Sequence, residues 1–138
     1  MPIYCEIVSQ DRKVFSGDVD MVVAPGADGV MGILPHHSSL LSTLKVGELK
    51  VRRGGAEESF AVSGGLIEVR PDGIVILADA AERADEIDVV RAEEARRRAE
   101  AQLAAGPAPH SEAYLAALGA LRRSSLRLTV ANRKSQKK

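Results

Sequence analysis

Residues 48–62 read ELKVRRGGAEESFAV, two runs of alternating character joined by a glycine pair. In the first run Leu49 and Val51 alternate with charged residues, and in the second run the larger apolar residues alternate with small or polar ones. A period of two residues gives a β-strand one buried face and one solvated face. The glycines at 54–55 suit the left-handed backbone angles of a hairpin turn. The stretch therefore predicts a β-hairpin that packs one face on a core.

Short β-rich runs of the same kind recur on both sides of this hairpin, separated by turn signals such as Pro71-Asp72-Gly73. Their close spacing is typical of an antiparallel sandwich or barrel. Helical segments do not alternate with them, and neither GxxxxGK nor GxGxxG occurs, so a doubly wound nucleotide-binding fold is disfavoured. The runs comprise residues 3–9, 13–15, 19–24, 30–34, 46–52, 57–62, 66–70 and 74–77.

Composition limits the core and the classes of partner. The chain has 138 residues, 45% of them apolar and 3% aromatic, so one ordinary domain or two small ones would be built on Val, Ile, Leu and Ala. The net charge is zero, yet residues 1–85 carry 8 Lys and Arg against 13 Asp and Glu, whereas residues 86–138 carry 11 against 6. An acidic half and a basic half could attract each other, or the basic half could bind an acidic partner.

The cysteine content and the hydropathy bear on the compartment. Cys5 is the single cysteine, which excludes an internal disulfide and favours a reducing compartment. No apolar run approaches the ~18 residues of a membrane span. Glu6 and Asp11 are unlike the Arg-rich start of a transit peptide. The prediction is a soluble chain that reaches a membrane only through its partners.

The composition changes near residue 85, after which Ala, Glu, Arg and Leu dominate up to Leu103. These are strong helix formers, and Gly106 followed by Pro107 ends such a helix. Ser111 is placed to cap a second helix, so the pattern predicts an antiparallel helical hairpin with two narrow, weakly packed seams. The seam residues are Ala92, Ala95, Ala99 and Leu103 on the first helix and Tyr114, Leu118, Leu121 and Leu128 on the second.

The predicted organisation has three parts. Residues 1–85 form an all-β sandwich domain, and residues 86–132 form the helical hairpin. The basic tail at 133–138 is low in apolar residues and is expected to be disordered.

Three motifs add a more specific indication: GILPHHSSLL at 32–41, AVSGGLIEV at 61–69 and VILAD at 75–79. In this order, and followed by a helical hairpin, they closely resemble the epsilon subunit of the bacterial and chloroplast-type rotary (F-type), proton-translocating ATP synthases. The resemblance covers nearly the whole chain. His36 departs from the common form of the first motif, which has Gly at that position.

The resemblance implies a β-sandwich of about ten strands followed by two C-terminal helices. It implies binding to the gamma subunit of the central stalk and to the membrane-embedded ring subunits, at the cytoplasmic face of the cell membrane. Such a subunit is noncatalytic: it couples proton flow to ATP synthesis. It restrains ATP hydrolysis when its helices extend toward the catalytic alpha and beta subunits.

The loop at residues 28–37 is a candidate contact surface, because its glycines and Pro35 can hold a defined backbone shape. From spacing alone, the favoured interpretation is a sandwich corner that needs glycine only for its turns. The resemblance implies that Met31 and His37 face the rotor ring. A metal site is not predicted, because His36 and His37 point different ways and no acidic or cysteine cluster completes a ligand set.

Residues 87–92, IDVVRA, resemble the ATP-binding motif of some bacterial members of this family. Arginine suits a triphosphate because its donors are forked and its charge is permanent, and a carboxylate could accept from the adenine amino group or the ribose. The same arginines could instead be a solvated face, or could meet acidic residues of a catalytic partner. Matching by the resemblance nominates Glu82, Asp88, Arg91, Ala92, Arg98, Arg123 and Arg127, with ATP as a regulatory ligand and no required cofactor.

Two other function classes compete with a motor subunit. An enzyme would need a nucleophile with a base and an acid, and Ser38, Ser39 and Cys5 have no such arrangement at helpful spacing, so no catalytic residue is predicted. A free-standing β-sandwich binding or adaptor module is the alternative. Nucleic-acid binding is not predicted, because the first half is acidic and poor in aromatic residues.

Overall fold

The computed structural model describes residues 2–136. They form two compact units, with the boundary between Ala84 and Asp85, one residue before the boundary that the composition predicts. Within the described part of the chain, no helix is long and apolar enough to cross a membrane.

The first unit is a β-sandwich, as predicted. Its hydrogen-bonded path runs β2-β1-β7-β6-β5-β3-β4, with β8 paired to β6. The pairing is antiparallel except between β1 and β7, which are parallel. The strands are β1 (Ile3–Val8), β2 (Lys13–Val19), β3 (Met21–Gly26), β4 (Gly29–Ile33), β5 (Leu40–Arg53), β6 (Ala56–Arg70), β7 (Gly73–Ala78) and β8 (Ala81–Arg83).

Residues 2–136 contain eight strands rather than about ten, because β5 and β6 are long enough to serve both layers. In β6 the residues that belong to the core cluster change from Phe60 and Val62 to Ile67 and Val69. This change from even to odd numbers turns the opposite face of the strand toward the core. It occurs at Gly64, where the pairing with β5 is interrupted. Each long strand therefore bends from one layer into the other. If β5 and β6 are each counted once per layer, the number of strands is the predicted ten.

The core of the sandwich is aliphatic, as the composition predicts, apart from two phenylalanines and Cys5. Phe15 and Phe60 meet edge to face, with their ring centroids 6.0 Å apart. Burial, with a smaller contribution from the Glu6 carboxylate, raises the pKa of the Cys5 thiol to about 12. The thiolate that a nucleophile would need is therefore absent near neutral pH.

The second unit contains helices α1 and α2. The predicted signals at Gly106 and Ser111 are confirmed, and Asp88 supplies a cap that was not predicted. The Asp88 side chain caps α1 by accepting from the Arg91 backbone N–H at 3.1 Å. Gly106 follows the end of this helix with φ of 76°. The hydroxyl of Ser111 accepts from the Tyr114 backbone N–H at 3.1 Å and caps the second helix. The helices are α1 (Val89–Ala104) and α2 (Glu112–Gln136).

The predicted seam is right in part for the first helix, where Ala95 and Leu103 are only half-buried, and wrong in its emphasis for the second. Ala92 and Ala99 are fully buried on α1. On α2 the buried positions include Ala117 and Ser124, and Ser124 satisfies its hydroxyl by donating to the Ala120 carbonyl at 2.8 Å. Small side chains allow two helices to approach closely, so the larger residues flank the contact instead of forming it. The predicted residues Tyr114, Leu118, Leu121 and Leu128 are only half-buried.

The disordered tail expected from residue 133 onward needs a correction, because α2 continues to Gln136. Arg, Lys and Gln are good helix formers, and cations near a helix C-terminus interact favourably with its dipole. Lys137 and Lys138, the end of the expected tail, lie outside the described residues.

Candidate functional site

A tight turn follows β4 in the candidate rotor-facing loop. The His37 backbone N–H donates to the Leu34 carbonyl at 3.1 Å, Pro35 is second in the turn, and His36 is third with φ of 70°. A type II turn has this pattern and requires positive φ at its third residue, which is why glycine is usual there. Histidine tolerates the left-handed region better than most residues. The departure from the family motif at His36 therefore leaves the turn intact.

The two residues predicted to face the ring have different surroundings. Met31 lies on β4, paired with Ala24, and its half-buried side chain packs against the sandwich core. His37 is half-buried in the turn, and its Nδ1 lies 2.8 Å from the Ser38 carbonyl. Because a carbonyl oxygen only accepts, Nδ1 donates, which leaves Nε2 as the acceptor of the neutral ring. The ring-facing role of both residues stays a prediction.

An apolar row crosses the outer face of the sandwich and is missed by the sequence analysis. Leu66 is 43% exposed and its partner Leu77 is 51% exposed, and the next strand along brings Val8 beside Leu77. A cleft of about 290 Å³ opens at this row, with Asp79 on its rim. We call Val8, Leu66 and Leu77 the outer apolar row. The available signal was the run of apolar residues in β6 and β7, where strict alternation would have put polar residues on the outer face.

On α1, two of the candidate arginines stand on the same side of the helix. Successive residues of an α-helix are rotated by about 100° around its axis. Relative to the buried Ala92, which faces the seam, Arg91 and Arg98 are rotated by about 100° and 120° in the same direction around α1. Both side chains are exposed. Ala92, also nominated as a ligand residue, has its methyl group buried, so only its backbone could serve a ligand.

On α2, Arg123 and Arg127 are displaced from the buried Ser124 in that same sense, by about 100° and 60°. Two antiparallel helices are related by a two-fold axis that runs perpendicular to the plane of the hairpin. Residues displaced from the seam in the same rotational direction on each helix therefore lie on the same side of that plane. All four arginines accordingly lie on one side of the hairpin. The loop at 105–111 is centred on residue 108. Residues equally far from this centre lie at the same height on the two helices, so Arg91 is level with the midpoint between Arg123 and Arg127. Arg98 lies about 10 Å further along α1. We call these four residues the arginine face.

The nominated acidic residues are not both free to join this face. Asp88 already uses one carboxylate oxygen as the cap of α1. Glu82 lies on β8, in the first unit. The acceptor role predicted for these carboxylates therefore finds no support in the contacts of Asp88. In the part of the chain that the structure covers, no three His, Cys, Asp or Glu side chains gather into a metal site.

Comparison with known proteins matches both units. Residues 2–84 match the family described as ATP synthase, Delta/Epsilon chain, beta-sandwich domain, and residues 85–132 match its long alpha-helix domain. A protein of Dehalococcoides mccartyi named ATP synthase epsilon chain is 53% identical over 131 residues, covering 94% of this chain and 91% of the relative. One of the same name from Herpetosiphon aurantiacus is 49% identical, covering 95% of each chain.

Two solved structures share the fold. A chain in the Euglena gracilis mitochondrial ATP synthase, in a structure of OSCP, F1 and c-ring, superimposes with a TM-score of 0.78 at 22% identity, covering 98% of this chain and 81% of that one. A chain of the Tetrahymena thermophila mitochondrial ATP synthase central stalk and c-ring has a TM-score of 0.56 at 12% identity, covering 98% and 97%. At these identities the two structures support the fold alone.

Proposed function

Since the chain belongs to the delta/epsilon chain family of ATP synthases, as an epsilon chain of the central stalk, we propose that it is a noncatalytic subunit with two tasks. The sandwich couples the rotor to ATP synthesis by holding the stalk to the proton-driven ring. The helical hairpin restrains ATP hydrolysis. The observation that carries this proposal is the unlike packing of the two units: one has a closed aliphatic core, whereas the other has a narrow seam of small residues.

Each partner has a surface of suitable chemistry. The outer apolar row is the docking face for the gamma subunit, because exposed leucines in neighbouring strands gain most by burial against another protein. The turn at residues 34–37 faces the membrane-embedded ring, and the basic hairpin meets the catalytic alpha and beta subunits when it extends. The chain is held at the cytoplasmic face of the membrane through these partners.

We expect Leu66→Asp combined with Leu77→Asp to weaken binding of the chain to the purified gamma subunit by more than about 100-fold. Each leucine buried at an interface contributes on the order of 1.5–3 kcal/mol, and a buried unpaired carboxylate adds a further penalty. Both positions are solvent-exposed in the free chain, so the fold should persist. Biolayer interferometry with immobilised gamma subunit measures the change.

Val30→Asp is the matched control, because Val30 is 73% exposed on β4, away from the outer apolar row. It should bind gamma like the parent chain. If the double variant bound the gamma subunit as tightly as the parent chain, the proposal that the outer apolar row is the docking face would be wrong. A parent chain that binds no ATP synthase subunit would favour the free-standing adaptor instead.

We propose further that the arginine face binds ATP and stabilises the folded hairpin. The support is chemical: three guanidinium groups lie at one end of the face and can share a triphosphate, and the carboxylate of Asp88 is engaged as a helix cap. A ligand held by both helices would hold the seam closed.

Arg91→Ala and Arg123→Ala are each expected to weaken ATP binding to the isolated chain about tenfold, the loss of one charge-assisted hydrogen bond or more. Isothermal titration calorimetry with Mg-ATP measures this. Arg97→Ala is the control, since Arg97 is exposed on α1 but points to the other side of the hairpin. No heat of binding with the parent chain, or equal loss in the control, would contradict the ATP site.

A further inference from the structure

Arg83, the last residue of β8, makes contacts that tie this strand to distant parts of the sandwich. One guanidinium nitrogen donates to Glu58 Oε1 at 2.6 Å, and another donates to the Val14 carbonyl at 3.0 Å. The guanidinium carbon also lies 5.8 Å from the Phe15 ring centroid and 5.5 Å from that of Phe60. We call this set of contacts the Arg83 clasp.

A second arginine, at the end of β5, adds to the contacts of the clasp. Arg53 lies 5.2 Å from the Phe15 ring centroid and 3.7 Å from the second carboxylate oxygen of Glu58. Gly17 makes room for it, because a Cβ there would stand 2.9 Å from the Arg53 guanidinium. Glu58 therefore has a guanidinium at each of its oxygens, and the aromatic faces cover both cations.

The clasp acts on a short strand whose first residue, Ala81, is buried in the core. The strand has three residues and is paired along one edge only, with β6. A ladder this short is weak without side-chain contacts. The clasp acts at its final residue, so the strand is fastened at the point where the chain leaves the sandwich.

The chain beyond the clasp continues into a short turn before the first helix. Residues Ala84–Glu86 form a single 3-10 turn with no buried residue. Ile87 is buried next, and Asp88 then caps α1 through its side chain. Short 3-10 turns are frequent as connectors at helix ends. The turn therefore lies between Arg83 on one side and Ile87 and Asp88 on the other.

We propose that the Arg83 clasp is an anchor that confines the hinge of the helical hairpin to the turn Ala84–Glu86. When the hairpin changes position, the clasp keeps β8 from being stripped off β6, so the sandwich keeps its grip on its partners. This inference rests on the proposed function, because it assigns a purpose to a hairpin that moves. Its physical content, local fastening of β8, is measurable in the chain by itself.

The test is amide hydrogen exchange by mass spectrometry on full-length Arg83→Gln. The peptide covering residues 81–84 should exchange at least about tenfold faster, the effect expected from losing hydrogen bonds to a charged group. Peptides from residues 65–70 of β6, which pair with β7 and not with β8, should be unchanged. Arg83→Lys should fall between, because an ammonium keeps the charge but lacks the fork that reaches Glu58 and Val14 together.

Arg70→Gln is the matched control, because Arg70 pairs with Glu68 at 3.0 Å on the exposed end of β6 and has no aromatic or carbonyl partner of this kind. Unchanged exchange of residues 81–84 in Arg83→Gln, or an equal increase throughout the sandwich, would overturn the anchor. If that variant does not fold, Glu58→Gln replaces it with the same expectation and the same contrary results.

A separate measurement distinguishes the anchor from the proposed function. If an assembled enzyme whose epsilon chain lacks the hairpin hydrolyses ATP at the parent rate, the restraining role fails while the exchange result still reports the clasp. Faster hydrolysis without any local exchange change in Arg83→Gln would keep the restraint and overturn the anchor.

Discussion

An ATP synthase assembled with a chain that lacks residues 85–138 is expected to hydrolyse ATP at least about fivefold faster than the parent enzyme. A factor of about five is the lower end of the effects that ordinary regulatory coupling produces. The physical reason is that the hairpin is the only part of the described chain with a narrow seam and a strongly basic surface suited to an acidic catalytic partner. The sandwich alone should still join the complex. Every residue of its core cluster lies between Ile3 and Ala81, so the deletion removes none of them.

ATP hydrolysis by the assembled enzyme, measured at several membrane potentials and nucleotide concentrations, checks this result. Removal of residues 133–138 alone is the control, because it leaves Ala92, Ala99, Ala117 and Ser124 in place and should leave the restraint intact. The regulatory proposal would be falsified if the full deletion left hydrolysis unchanged under all these conditions. A truncated chain that fails to assemble would contradict the two-unit division of labour.

Gly65→Ala is expected to produce the largest loss of stability of any single substitution considered for the sandwich. An added Cβ would lie 2.1 Å from the Leu77 carbonyl oxygen and 2.8 Å from the Ala78 Cα. These are backbone atoms of the paired strand β7, so no side chain can rotate away. The φ of 133° at Gly65 adds strain for any residue with a Cβ.

Overpacking of this kind costs about 1–3 kcal/mol, and an unfavourable φ adds a further ~1–3 kcal/mol. A total of about 2–6 kcal/mol would be a large part of the roughly 5–15 kcal/mol by which a folded domain is stable. Urea denaturation followed by far-ultraviolet circular dichroism measures the free energy of unfolding. The midpoint should fall, with the slope unchanged.

Gly54→Ala is the matched control for this prediction. Gly54 has φ of 58° in the hairpin turn, and nothing lies within 4 Å of an added Cβ. Only the left-handed penalty of about 1–2 kcal/mol applies there. Equal losses in the two variants would mean that the contact of Gly65 with β7 is unimportant, and that the φ values alone explain the glycines.

Local chemistry explains what the sequence predicts well. The cap at Ser111 and the helix end at Gly106 depend on atoms within four residues, so their residue types indicate the structure directly. The hairpin of β5 and β6 follows from alternation and a glycine turn, which are also local. The motifs at 32–41, 61–69 and 75–79 predict the family, and the matches to both of its domains confirm it.

The arginine face and the seam between the helices were predicted only in part from the sequence. Helical periodicity correctly puts Arg91 with Arg98, and Arg123 with Arg127, on shared faces. It does not say which side of α2 meets α1, because a helical wheel ranks residues by apolarity and overlooks close approach. The burial of Ala117 and Ser124 decides that question and thereby brings both arginine pairs to one side.

The sequence by itself determined the two-unit organisation, the strand and helix types, the helix ends and the family, because each depends on neighbours along the chain or on an ordered set of motifs. Only the tertiary structure decided that β6 changes its buried face near Gly64, that Leu66 and Leu77 stay exposed, and that Asp88 is engaged. It also brought Arg83 to Glu58 and Val14, which are 25 and 69 residues away in the chain. Contacts between distant residues arise from how the layers pack, and no local pattern encodes that packing.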